Sequence, residues 1–384
     1  MSARTKTVLA NIMLSAASLV VTLAALEFIV FRYILVPDDV LDNVSIGNVV
    51  RYKPGTHATF RHPDGRRSVV TINRQGWNAT RDSYARVKPA GRTRIAVLGD
   101  SYVHGAFVDV SQGFPEVLEQ ALNAAGLDAE VYRFGMDGAP LSQYLHMLRS
   151  EVIRYRPDVV LVPLVHNDFD ESYRFLKTRY ASSFMKLDEL PDGTIREIPP
   201  SPFTQGRAEL IRHSAMFRYL YYETGLYLSA KRLISRLVWG GNEDWSPEFI
   251  SSAVDIRKIA DHRKNRLFAR YVMAEMKALA VKHGFKLAFM MDGVREAVYA
   301  GTNPDTYAVG QLNRIARDVT AELALPFLDL HEVFVADWRR HGQRFEFSYD
   351  WHWNERANRI VGAQAALLLL RDPRLLARRL VNAQ

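Results

Sequence analysis

The chain of 384 residues contains no cysteine. That absence excludes disulfides, thiolate metal sites and a cysteine nucleophile together. It does not fix the compartment, because oxidising surroundings permit disulfides without requiring them. Internal repeats, low-complexity tracts and a basic helix with interleaved aromatics are also missing. The net charge of +8 comes from scattered lysines and arginines. Such dispersal gives no footprint for nucleic acid, and anionic head groups or an acidic glycan account for it more simply. What is present is apolar: 48% hydrophobic residues supply a substantial core, in a length between one domain and three.

One stretch lacks charge altogether. Residues 8–26 are uncharged, Glu27 interrupts, and Phe28-Ile29-Val30-Phe31 continues the run to Arg32. About twenty such residues cross a bilayer core as a helix. The apolar region of a cleaved signal peptide is shorter, roughly 7–15 residues. The length therefore favours a retained anchor over residues 1–36, with Ala24-Ala25 as the alternative cleavage site. Arg4 and Lys6 precede the span, which keeps that end in the cytoplasm. The expected location is the bacterial inner membrane, single-pass, with lipid contacted through residues 8–35 and the body periplasmic. Asn11, Ser15, Ser18 and Thr22 lie on one helical face. They are either tolerated polar residues or a stripe that packs on a partner membrane protein.

Residues 37–92 read as a juxtamembrane connector and a β-rich lead-in. Thr56-His57-Ala58-Thr59-Phe60 and Ser68-Val69-Val70-Thr71-Ile72 flank a turn holding Pro63 and Asp64-Gly65, a hairpin signal. From residue 93 onward, strands alternate with helices. Strands are expected at 94–98, 129–134, 158–165, 286–291 and 326–330, and helices at 114–122, 141–155, 265–283, 304–323 and from 355 to about 370. That rhythm predicts a parallel sheet covered on both faces. Residues 170–265 break it with a Pro-rich stretch and the aromatic cluster Phe217-Arg218-Tyr219-Leu220-Tyr221-Tyr222. They are too long for an ordinary connection and read as a partly helical insertion over the active-site edge. Its aromatics are either a sugar-stacking platform or the insertion's own core.

Four short motifs follow strands in chain order: Gly99-Asp100-Ser101, then Gly138 in Gly135-Met136-Asp137-Gly138, then Asn167 in His166-Asn167-Asp168, then Asp350 and His352. The set resembles the SGNH (GDSL) hydrolase superfamily over residues 90–370, specifically its bacterial membrane-anchored members. The resemblance implies an α/β fold, a flavodoxin-like three-layer α/β/α arrangement with a central five-stranded parallel sheet and one N-terminal transmembrane helix. It implies Ser101 as nucleophile, His352 as base and Asp350 as its orienter. It implies an oxyanion hole from the Ser101 N–H, the Gly138 N–H and the Asn167 amide, with no cofactor and no metal. Two departures stand out. Val165 occupies a position where the family usually has glycine, and only Trp351 separates Asp350 from His352.

The chemistry is consistent with that reading. A serine hydroxyl needs an adjacent base, and a carboxylate fixes the imidazole tautomer and steadies the imidazolium. In an extended segment, residues two apart share a face, so Asp350 and His352 can act together. No Gly-x-Ser-x-Gly elbow is present, which argues against the other large α/β hydrolase class. The simpler alternatives are that Ser101 caps a helix, that Asn167 braces a loop and that His352 packs between Trp351 and Trp353. His104, His166, Asp168 and Asp170 have no diagnostic metal spacing, and His331 is a reserve base. The expected activity is a serine esterase acting on an acyl, O-acetyl, ester of an extracytoplasmic glycan or envelope component. The alternatives are an O-acyltransferase on the same site and a non-catalytic subunit of a membrane complex.

Overall fold

The computed structural model describes residues 3–62, 64–105, 107–173, 183–204, 212–220 and 261–376. They fall into two compact units: residues 3–40 with 212–220, and the described parts of 41–204 with 261–376.

The larger unit opens with two antiparallel hairpins, β1 (Asn43–Ile46) with β2 (Val49–Tyr52) and β3 (His57–Arg61) with β4 (Arg67–Thr71). The second is the expected hairpin. The first lies largely within the stretch read as a connector. It turns on Gly47 and Asn48, both at positive φ (59° and 63°), the two-residue geometry that suits the twist of a hairpin. Next come β5 (Thr93–Gly99), β6 (Ala129–Gly135) and β7 (Val159–Leu164). A third hairpin, β8 (Lys186–Glu189) with β9 (Ile195–Ile198), precedes β10 (Lys286–Met291) and β11 (Phe327–Asp329).

The main sheet runs β11-β10-β7-β5-β6 and every pairing in it is parallel. This is the flavodoxin-like strand order. Side chains alternate between two cores. Ala96, Leu98, Val160, Val162, Leu287 and Phe289 face one layer; Ile95, Val97, Val159, Leu161, Ala288 and Met290 face the other. Helices Leu141–Ser150, His262–His283 and Gly310–Glu322 bury residues in the first core. Helices Phe114–Ala124, Leu330–His341 and Glu355–Arg371 cover the second. Burial on both faces explains why these strands read as continuous apolar runs.

Two departures have local causes. The helix expected over 141–155 stops at Ser150 and gives way to a 3₁₀ turn, Val152–Tyr155, closed by Arg156 at φ 49°. Within the stretch read as a partly helical insertion, residues 186–198 form the third hairpin. Its turn holds Gly193 at φ 82° and the Asp192 carboxylate, which accepts from the Thr194 N–H at 2.9 Å. Residues 174–182, 205–211 and 221–260 of the insertion, Tyr221 and Tyr222 among them, lie outside the described residues.

In the smaller unit, a helix spans Ala3–Ala25 and continues with π-helical pairing through Leu26–Ile34. Residues 4–34 are long and apolar enough to cross a membrane. Glu27, the interruption in the apolar run, has a partner far along the chain. Its carboxylate accepts from Ser214 Oγ at 2.8 Å and from the N–H groups of Ala215 and Met216 at 2.8 and 2.9 Å. The carboxylate thus meets donors that a helix start leaves unpaired. Arg218 donates to the Asp38 carbonyl at 2.7 Å, and Tyr219 packs on Phe31 with ring centroids 5.2 Å apart.

Candidate active site

The site is built at the carboxyl edge of the parallel sheet, where ligands bind in open α/β folds. β5 ends in Gly99, where an added Cβ would lie 2.5 Å from the Val103 side chain. Beside it, a Cβ on Gly135 of β6 would lie 2.2 Å from the His104 backbone nitrogen. These two glycines let the short helix Ser101–His104 sit directly on the strand ends. Its cap is Asp100, whose carboxylate accepts from the Tyr102 N–H at 2.9 Å. Ser101 therefore does not cap the helix with its side chain. Its Oγ lies 2.7 Å from His352 Nε2.

His352 reaches Ser101 from the loop between the Leu330–His341 and Glu355–Arg371 helices. Asp350 Oδ1 lies 2.5 Å from His352 Nδ1 and also accepts the His352 backbone N–H at 2.8 Å. A proton on Nδ1 leaves Nε2 as the acceptor facing Ser101, the tautomer a general base requires. Phe107 stacks on the imidazole at 4.7 Å and 17°, and Tyr102 lies against it at 4.8 Å. A small, partly open pocket lies here, lined by Ser101, Gly105, Phe107, Val108, His352 and Asn358 among others.

Burial disfavours the His352 imidazolium, but the bond to Asp350 and the charges of Asp350, Asp100 and Asp137 outweigh it and raise its pKa. Burial likewise opposes ionisation of Asp350, yet its bonds to His352 and the charges of His352 and Arg295 hold its carboxyl below the usual range. Asp100 is pushed up to about 6, by burial first and by the neighbouring Asp137 charge. Asp168 is raised well above the ordinary value by burial and the Asp100 charge.

The other expected residues occupy neighbouring strand ends. Gly138 follows β6 in a turn at φ 69°, a conformation suited to glycine. Asn167 opens the short helix after β7, and its side chain favours the Glu171 anion nearby. β6, β5 and β7 are adjacent, so Gly138, Ser101 and Asn167 lie in one row. The four residues weighed as metal ligands have separate surroundings. His104 contacts Asp137 and Tyr52, His166 bonds Asn313, Asp168 accepts from Tyr144, and Asp170 is buried. No cluster of three metal-type side chains forms among the described residues. His331 is buried behind β11, and Ser101 meets His352 instead.

Sequence reasoning passed over Phe107 and Tyr102, and over Asp292 and Arg295, which follow β10. Asp292 was within reach: β10 was delimited to Met291, so the next residue had to sit on the same sheet edge as Ser101.

No family model matches the chain, and no curated protein sequence does. Among solved structures, the chain is similar to an acetyl xylan esterase, AlAXEase, at 15% identity and a TM-score of 0.39, covering 71% of this chain and 97% of that one. It is similar to TesA at 14% and 0.38, covering 72% and 98%. It is similar to a lipase/acylhydrolase from Enterococcus faecalis at 16% and 0.37, covering 72% and 93%.

Proposed function

We propose that the protein is a membrane-anchored serine ester hydrolase of the SGNH type. The observation that carries the reading is the contact row Ser101 Oγ, His352 Nε2, His352 Nδ1, Asp350 Oδ1, at 2.7 and 2.5 Å. Serine, base and orienter are in hydrogen-bond reach in the order nucleophilic catalysis needs.

In the proposed reaction, Ser101 Oγ attacks the ester carbonyl carbon while His352 Nε2 takes the hydroxyl proton. The carbonyl oxygen becomes an oxyanion facing the Ser101 N–H, the Gly138 N–H and the Asn167 amide. One such donor is worth about 3–4 kcal/mol in the transition state. Collapse breaks the bond to the leaving alcohol, which takes the proton from His352. Water, deprotonated by His352, then attacks the acyl-Ser101 ester; collapse breaks the bond from the acyl carbon to Ser101 Oγ, which takes the proton back from His352 as the carboxylic acid leaves. A sugar hydroxyl in place of that water makes the same site an O-acyltransferase.

The substrate we propose is an O-acetyl or other short acyl ester on a glycan or envelope component outside the cytoplasmic membrane. The span at residues 4–34, with Arg4 and Lys6 at its start ahead of the uncharged run, supports that placement. A non-catalytic subunit would have no use for a serine held against a histidine–aspartate pair.

The test uses the full chain purified in detergent and a fluorophosphonate probe. Wild type should label, Ser101→Ala should not, and His352→Ala should label far more slowly. Folded wild type that fails to label would sink the reading. Labelled enzyme would then be offered O-acetylated glycans, with acetate release and acetyl transfer measured separately.

A further inference from the structure

We infer that Arg295, with Tyr102, is a positioning residue that sets the register of the Asp350–His352 pair against Ser101 by clamping the carbonyl of Trp351. The inference rests on the serine hydrolase reading above.

Trp351 is the one residue between Asp350 and His352. Its carbonyl oxygen accepts from Arg295 Nη1 at 2.5 Å and from Tyr102 Oη at 3.0 Å. Both donors are fixed. Arg295 Nη2 donates to Asp292 Oδ2 and to Tyr102 Oη, each at 2.8 Å. Glu346 lies 3.6 Å from Arg295 Nη1. The side chains of Arg295 and Asp292 are fully buried. The other Asp292 oxygen accepts from Trp353 Nε1 at 3.0 Å. The guanidinium thus ties the end of β10 to residues on both sides of His352.

A buried ion pair is a costly way to hold a core together. Apolar residues of similar volume often do as well or better. What they cannot do is aim a donor at a chosen carbonyl. Asp350 and His352 project from peptides on either side of Trp351, so pinning the middle carbonyl limits the rotation of both. Tyr102 follows Ser101 directly, so the same carbonyl also registers the base against the nucleophile. Among the described residues, none of the hydrogen bonds of Arg295 is to Ser101 Oγ, to the imidazole or to the Asp350 carboxylate, so it positions the pair through the backbone, while its charge also favours the Asp350 anion.

The groups facing the pair make a sensitive readout. Asp350, Asp100 and Asp137 face His352, and Arg295, His62 and Tyr349 face Asp350. A loosened Asp350–His352 bond returns the imidazole toward its ordinary titration.

The experiment follows fluorophosphonate labelling rate against pH, with thermal melting, for full-length wild type, Arg295→Lys, Tyr102→Phe and the double variant. Lysine retains a charge for Asp292 but cannot serve Asp292, Tyr102 and Trp351 together. Arg295→Lys should label about 10- to 100-fold more slowly, the scale of a misplaced catalytic group. Its pH midpoint should move down. Tyr102→Phe should shift both quantities less and in the same direction, and the double variant most. A folded Arg295→Lys with the wild-type rate and midpoint would overturn the inference, even if its melting temperature fell. Should Arg295→Lys not fold, Tyr102→Phe decides, and unchanged rate and midpoint there would overturn it. Wild type that does not label marks the failure of the hydrolase reading, before any comparison of variants.

Discussion

His104 Nδ1 lies 2.6 Å from Asp137 Oδ1, one residue ahead of Gly138. This second histidine–aspartate pair sits beside the first without sharing a member. Tyr52 Oη joins it, 3.0 Å from His104 Nδ1 and accepting the Asp137 N–H at 3.2 Å. Burial opposes the Asp137 charge, but His104 outweighs it and holds the carboxyl below its usual range. The turn carrying Gly138 is therefore fixed by an anion that also faces His352. Asp137→Asn should lower the pH midpoint of serine labelling, because one of three carboxylates favouring the imidazolium is gone. A midpoint that stays put or rises would refute this.

The pair itself dictates a pH profile. Catalysis needs neutral His352, whose pKa is raised, so activity should climb through a midpoint above the ordinary histidine value of about 6.5. Asp350→Asn should bring that midpoint down and cut the rate about 10⁴-fold, as loss of the orienting carboxylate does elsewhere. The sign for stability is opposite. The raised His352 contributes stability that is complete below its unfolded pKa and lost as pH rises through the folded one. Asp350, depressed, contributes above its unfolded pKa and loses it as pH falls through the folded one. Ser101→Ala enzyme, melted across pH, reports both without catalysis.

Asn167 stands one helical turn before Glu171, whose anion its side chain favours. Asn167→Ala should lower kcat about 10²–10³-fold, the cost of one oxyanion donor, while KM changes little. Burial first, and the Asp170 charge, push Glu171 up to about 7. Glu171→Gln keeps a hydrogen-bond acceptor at neutral pH and should retain most activity. Stopped-time ester hydrolysis checks both, and an Asn167→Ala enzyme at wild-type kcat would remove it from the oxyanion hole.

Stability has its own weak point at the opposite end of β5. Arg94 pairs with Glu130 across β5 and β6 at 2.6 Å, with its side chain fully buried. Arg94→Met alone strands a buried carboxylate and should cost about 3–5 kcal/mol. Arg94→Met with Glu130→Leu should recover most of that. Chemical denaturation of the two variants decides it, and equal losses would show that the charge is not what matters.

The sheet was legible because its strands are buried on both faces, which makes apolar runs conspicuous; β10 was delimited to the residue. The β1–β2 hairpin was hidden because Val49-Val50-Arg51-Tyr52 has no alternation, all four side chains being buried. Gly47-Asn48 was the only local signal. Ser101, Asp350 and His352 were legible as residue types in order, and the fold brings them into contact. Arg295 was not, because a lone arginine in a short helix looks like a solvated charge. Only the meeting of β10 with the 345–353 loop gives it partners, and no spacing along the chain encodes that meeting.

The contacts of Glu27 also impose a timetable. Its partners Ser214, Ala215 and Met216 come 187 to 189 positions later. At roughly 5–20 residues per second of synthesis, the carboxylate waits on the order of ten to forty seconds for them. During that interval its partner is local: Arg32, five positions on in the same helix, lies 3.4 Å from the carboxylate. The smaller unit is therefore completed late, after the first three strands of the parallel sheet have been made.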